Sequence, residues 1–100
     1  MKEITAQELK QLRDSKVDFQ LIDVREPHEF EENNLNGELI PMGEVMDRVD
    51  EISKDKKVVV HCRSGKRSAT VINALESNHG FTNLYNLKGG ILAYIDEVGL

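Results

Sequence analysis

The single cysteine of the chain, Cys62, is followed by Arg63, Ser64, Gly65, Lys66, Arg67 and Ser68. This group of residue types can do nucleophilic chemistry. A free thiol titrates near pH ~8.5, so only a small fraction is thiolate at neutral pH, and nearby Arg and Lys or a helix N-terminus lower that value. Arg63, Lys66 and Arg67 make the loop cationic in a chain of formal net charge −5. The alternative, a small buried hydrophobe after a valine run, is the usual role of a lone cysteine. It leaves the three cations without a purpose, so Cys62 is read as a nucleophile.

The elements around it must hold the loop in place. Val58-Val59-Val60 is a short β-branched run bounded by charged residues, the pattern of a strand covered on both faces in a parallel sheet. The sequence after Ser68 is helix-compatible, so Cys62 lies at a strand's carboxyl end, where open α/β sheets keep their sites. Gly65 allows a tight turn, and successive backbone N–H groups can converge on one point as an anion-binding nest. A helix entered near Arg67 or Ser68 directs the positive end of its dipole to the same point. Ser68 is placed either to cap that helix or to donate to Cys62, and capping is the reading taken. His61 precedes Cys62 in the strand, so its side chain points to the opposite face and is read as structural.

Along the rest of the chain, Ile4 is a short strand candidate, and Thr5-Ala6-Gln7-Glu8 has the capping-box pattern before a helix carrying Leu9 and Leu12. Phe19 to Val24 reads as a strand, after which Pro27 opens a helical turn through Phe30. Asp23 and Arg25 stand at that strand's end, on the same sheet edge as Cys62. They are either a local ion pair or direct members of the site. Glu31 to Gly37 is a polar surface loop. Leu39-Ile40 is a strand ended by Pro41, and Val45, Met46, Val49 and Ile52 follow at helical spacing, with Met46 expected in the core. Ala69, Ile72, Ala74 and Leu75 form one face of the helix after the loop, which ends at Gly80. Leu84 to Leu87 is the last strand, and Gly89-Gly90 opens a final helix through Glu97. Strands alternating with helices predict an α/β three-layer fold with a mostly parallel central sheet of about five strands.

These segments resemble the rhodanese domain. His61-Cys62-Arg63-Ser64-Gly65-Lys66-Arg67-Ser68 is similar to that family's active-site loop, and Leu21-Ile22-Asp23-Val24-Arg25-Glu26-Pro27-His28-Glu29-Phe30 to its strand and Asp-x-Arg turn. Asn86-Leu87-Lys88-Gly89-Gly90-Ile91-Leu92-Ala93-Tyr94 resembles its closing Gly-Gly segment, with Tyr94 where a tryptophan is common. Asn33-Asn34-Leu35 departs from the Gly-His-Ile type of pattern frequent in the family. The resemblance runs from about Ile4 to Glu97, and extends to rhodanese domains fused to enzymes that adenylate sulfur-carrier proteins.

What the resemblance implies is a thiosulfate:cyanide-type sulfurtransferase. Cys62 would take sulfane sulfur from thiosulfate or a persulfide, carry it as a persulfide, and pass it to a thiol, cyanide or a sulfur-carrier protein. Arg63, Ser64, Gly65, Lys66, Arg67 and Ser68 would bind the substrate, with Asp23 and Arg25 in support. Two other readings share the features. One is a binding or regulatory module that keeps the fold without catalysis. The other is a cysteine phosphatase or arsenate reductase, but those phosphatases have Cys-x5-Arg, whereas Cys62 and Arg67 are spaced Cys-x4-Arg, a tighter loop suited to a smaller target such as a terminal sulfur.

Composition narrows the classes further. One hundred residues with 39% hydrophobic and 31% charged suit one soluble domain spanning residues 1–100. With one cysteine there is no intramolecular disulfide and no cysteine-rich metal site, and neither a metal nor another cofactor is expected. The acidic balance argues against nucleic acid as a partner. No stretch has the length of a membrane span, and Met1-Lys2-Glu3-Ile4 lacks a signal-peptide core, so no membrane partner and a cytoplasmic location are expected. Nothing in the sequence calls for more than a monomer.

Overall fold

A computed structural model describes all of residues 1–100. Five strands, β1 (Lys2–Ile4), β2 (Gln20–Asp23), β3 (Glu38–Leu39), β4 (Val58–His61) and β5 (Leu84–Leu87), form one sheet in the order β1-β5-β4-β2-β3. Every pairing is parallel. Parallel neighbours need crossovers, and helices supply three of them, α1 (Ala6–Asp14), α2 (Pro27–Glu32) and α3 (Lys66–His79), while α4 (Gly90–Glu97) follows the last strand and packs back on the sheet. The α/β layering inferred from the sequence is the fold.

β4 is the middle strand, and its two-residue side-chain period divides the core. Val58, Val60 and Cys62 pack with Ile72 and Leu75 of α3 in one cluster. Val59 packs on the other face with Leu9 of α1 and Ile91 and Tyr94 of α4 in a second. Each fully buried valine of this run stabilises the fold by about 1.5 kcal/mol or more, so little at the centre of the sheet is free to move. Cys62 therefore faces α3, and His61 faces the opposite layer.

Local signals explain the helix ends. The Thr5 hydroxyl accepts from the Glu8 N–H at 3.1 Å, and the Glu8 carboxylate accepts from the Thr5 N–H at 2.9 Å, completing the capping box that starts α1. α3 ends at Gly80, whose N–H donates to the Leu75 carbonyl.

Two expectations fail. The segment after Pro41 is not an α-helix but two 3-10 stretches, Met42–Asp47 and Val49–Glu51. In a three-residue turn, positions three apart eclipse, which stacks Met42 on Val45 and Val49 on Ile52 against the α3 cluster. Met46 falls one position off that row and is 43% exposed rather than in the core. The second concerns the start of α3. It begins at Lys66, before Arg67, with Gly65 as its N-cap in the left-handed region at φ 104°.

Candidate active site at the end of the central strand

β4 stops at His61, and the chain turns through Cys62 to Gly65 into α3. Cys62 is 1% exposed, and its Sγ sits within reach of several donors. The Gly65 N–H points at it from 3.1 Å, the Ser68 N–H from 3.5 Å, and the Ser68 Oγ lies 3.4 Å away. Burial pushes the thiol's pKa up, but the Ser68 hydroxyl and the backbone N–H groups of Ser68, Gly65 and Ser64 outweigh it and hold the pKa below the ordinary value. Ser68 lies in the first turn of a 14-residue helix and Gly65 is its N-cap, so the helix dipole acts in the same sense.

The loop's shape depends on α4. The Ile91 N–H donates to the Cys62 carbonyl at 2.9 Å, and the Leu92 N–H to the Arg63 carbonyl at 3.2 Å. With these carbonyls tied to the start of α4, the N–H groups that follow are left to face the sulfur. The approach is close enough that a Cβ on Gly90 would lie 2.3 Å from the Arg63 oxygen and 2.7 Å from the Cys62 oxygen. That is the physical reason for glycine at the Gly-Gly segment.

The cations fall into two groups. Arg67 makes a two-point pair with Glu29 of α2, at 2.7 and 2.9 Å. Hydrogen bonds from Arg67 are the main cause that lowers the Glu29 carboxyl to about 2. Glu29 in turn raises Arg67, so this guanidinium stays charged and tied down. Arg63 and Lys66 are exposed and make no ion pair, leaving their charges open to an incoming anion.

Asp23 and Arg25 sit at the end of β2 with both side chains buried. Arg25 Nε and Nη2 grip both Asp23 carboxylate oxygens at 2.8 to 3.1 Å, and Nη2 also donates to the Asn33 carbonyl at 2.8 Å. Neither side chain bonds to Cys62; the pair fixes the turn after β2. Arg25 also borders a cleft of about 150 Å³ beside the loop, together with Arg63, Glu32 and Leu92. His61 is fully buried behind the sheet, with Nε2 3.8 Å from Asp23 Oδ2, and burial lowers its pKa and favours the neutral ring.

Ser68 corrects the sequence reading. Since α3 begins at Lys66, Ser68 lies inside the first turn, and its hydroxyl caps nothing. It donates to Asn86 Oδ1 of β5 at 2.6 Å. Asn86 Nδ2 donates to the Gly65 carbonyl at 3.1 Å. Asn86 and Glu29 are the two residues of the site that sequence reasoning did not single out. A signal for Asn86 did exist, namely a polar residue in an apolar strand that packs against Val60.

A buried cysteine at the carboxyl end of a parallel strand, with backbone donors at a helix N-terminus turned toward its sulfur, defines a class of α/β domain with a cysteine loop at the sheet's carboxyl edge. The chain belongs to the rhodanese-like domain family, whose profile matches residues 5–97. It is 37% identical over 93 residues to an Allochromatium vinosum protein named sulfurtransferase, covering 92% of this chain and 86% of that one. It is 46% identical over 72 residues to Bacillus subtilis YqhL, covering 71% of this chain but only 56% of YqhL. It is also 33% identical over 98 residues to a Mycobacterium tuberculosis protein named probable adenylyltransferase/sulfurtransferase MoeZ, covering 95% of this chain and 25% of that one. A rhodanese-like domain protein from Staphylococcus aureus has the same fold, with a TM-score of 0.87, 34% identity, and 98% and 95% coverage. No helix is long and apolar enough to cross a membrane.

Proposed function

We propose that this domain is a sulfurtransferase that carries sulfane sulfur as a persulfide on Cys62. The observation that supports it most is the direct approach of the Gly65 N–H to Cys62 Sγ at 3.1 Å, with Ser68 donors beside it, around a thiol held below its ordinary pKa. Relatives named sulfurtransferase support the same reading.

In the first step the Cys62 thiolate attacks the outer sulfur of thiosulfate, or of a persulfide. A new S–S bond forms, the donor's S–S bond breaks, and sulfite or a thiolate leaves with the electron pair. The charge moves from Sγ to the outer sulfur, and the loop N–H groups hold it there by preorganised donors rather than by a proton. In the second step cyanide or a thiolate, on a small molecule or on a sulfur-carrier protein, attacks that outer sulfur, forms a new bond to it, and the S–S bond breaks to restore the Cys62 thiolate. Arg63 and Lys66 attract the anionic donor, while Ser64, Gly65 and Ser68 supply loop donors. Arg67, held by Glu29, anchors the start of α3 to α2 at the rim, and Asp23 and Arg25 support the loop from β2.

Intact-mass measurement after incubation with thiosulfate, then with cyanide, tests this. A gain of one sulfur atom that cyanide removes, absent in Cys62→Ser, is expected. No adduct with thiosulfate, mercaptopyruvate or a persulfide donor would instead favour a binding module on the same fold.

A further inference from the structure

Ser68 is buried with a single hydroxyl proton and two acceptors within reach. Asn86 Oδ1 is 2.6 Å away and Cys62 Sγ is 3.4 Å away. The amide cannot turn over to change this, because its Nδ2 is committed to the Gly65 carbonyl. One proton cannot serve both acceptors. The consequence depends on the charge state of the sulfur. As a thiol, Cys62 can donate to Ser68 Oγ while the Ser68 hydroxyl donates to Asn86. As a thiolate, Sγ is the stronger acceptor because hydrogen bonds to charged groups are the stronger ones. Turning the hydroxyl toward it then strands a buried amide oxygen.

We propose that Asn86 is a positioning residue that governs the Ser68 hydroxyl, holding its proton while Cys62 is a thiol and yielding it to Sγ when Cys62 ionises. The proposal rests on reading Cys62 as the nucleophile. Asn86 thereby sets how much the hydroxyl contributes to the thiolate, and its second bond, to the Gly65 carbonyl, ties β5 to the N-cap of α3 beside the sulfur.

The charged groups about the loop lie elsewhere. They are Arg63 and Lys66 at the rim, Arg67 with Glu29 on α2, and Asp23, Arg25 and His61 toward β2. None of them bonds to Asn86, so changes at Asn86 and Ser68 leave their pairings in place.

The test is the thiolate titration of Cys62, followed by far-ultraviolet absorbance against a Cys62→Ser blank, with no sulfur donor present. This separates the proposal from sulfur transfer itself. Ser68→Ala is measured in the native background and in Asn86→Ala, so that any effect of taking one of its two donors from the Gly65 carbonyl cancels. With the competing acceptor gone, the hydroxyl serves the thiolate fully, and removing it lowers the acid constant of Cys62 by a factor at least about threefold larger than in the native background. Equal factors in the two backgrounds overturn the proposal, and would leave Asn86 a purely structural residue whose loss shows only in the melting temperature. Asn86→Asp gives a second reading. A carboxylate grips the Ser68 proton more tightly, loses the donor to Gly65 and adds like charge, so the acid constant falls about tenfold. An unchanged or higher acid constant in a folded Asn86→Asp protein also overturns it.

Discussion

Arg67 and Glu29 face each other across the rim of the Cys62 loop in a two-point pair at 2.7 and 2.9 Å, joining the first turn of α3 to α2. The pair gives the loop a second anchor besides α4. The Glu29 carboxyl is held at about 2, below the unfolded value of 4.5, chiefly by Arg67. A carboxyl depressed by folding contributes stability that is fully present above the unfolded value and lost as pH falls through the folded one. Both side chains are partly exposed, so the contribution is about 1 kcal/mol. Glu29→Gln is therefore less stable than the native protein at pH ~6, and the gap in melting temperature closes on acidification to pH ~2. A gap that stays constant across that range would remove the pair from the account of stability.

Gly90 carries the closest backbone contact in the site. Its φ is 64°, and a Cβ would sit 2.3 Å from the Arg63 oxygen. Gly90→Ala must strain α4 or push it off the loop, at about 2 kcal/mol or more. Because the displaced carbonyls belong to Cys62 and Arg63, persulfide formation slows as well. Urea denaturation and the rate of the mass gain measure the two effects. Native stability in the alanine variant would show that the contact is not tight in solution.

Arg25 and Asp23 form a buried ion pair, and breaking one partner leaves the other charge uncompensated. Arg25→Ala destabilises the fold by about 3 kcal/mol or more. The loss is one of folding: at a temperature where the variant remains native, Cys62 still accepts sulfur, since neither side chain bonds to it. A fully stable variant with no persulfide would reverse this and make Arg25 a member of the reacting site.

Arg63 and Lys66 are the cations without an acidic partner at the rim. Replacing both with alanine weakens the encounter with doubly charged thiosulfate, so KM rises several-fold with little change in kcat, and the difference shrinks in high salt. Steady-state kinetics at two ionic strengths decide it. An unchanged KM would end their assignment to donor binding.

What the sequence determined by itself is what depends on neighbours along the chain. The valine run and its two-residue period place Val58, Val60 and Cys62 on one face of β4 and His61 on the other. Thr5 and Glu8 announce the start of α1, and Gly80 the end of α3, because caps are made within a turn of the residues they serve. The cysteine followed by cations marks the site for the same reason. The 3-10 stretches after Pro41 were not legible, because Val45, Met46, Val49 and Ile52 satisfy a helical pattern about as well as a three-residue one, and packing against α3 chose between them.

Only the tertiary structure decided which side chains meet. Ser68 finds Asn86 across 18 residues and Arg67 finds Glu29 across 38, and no local spacing encodes either contact. The charges of the loop were visible, but which of them are free and which are tied was not. A donor or an ion is assigned its partner by the docking of α2, α3 and β5 around the carboxyl edge of β4, and that docking follows from burial of the two apolar faces of the sheet rather than from the polar residues themselves.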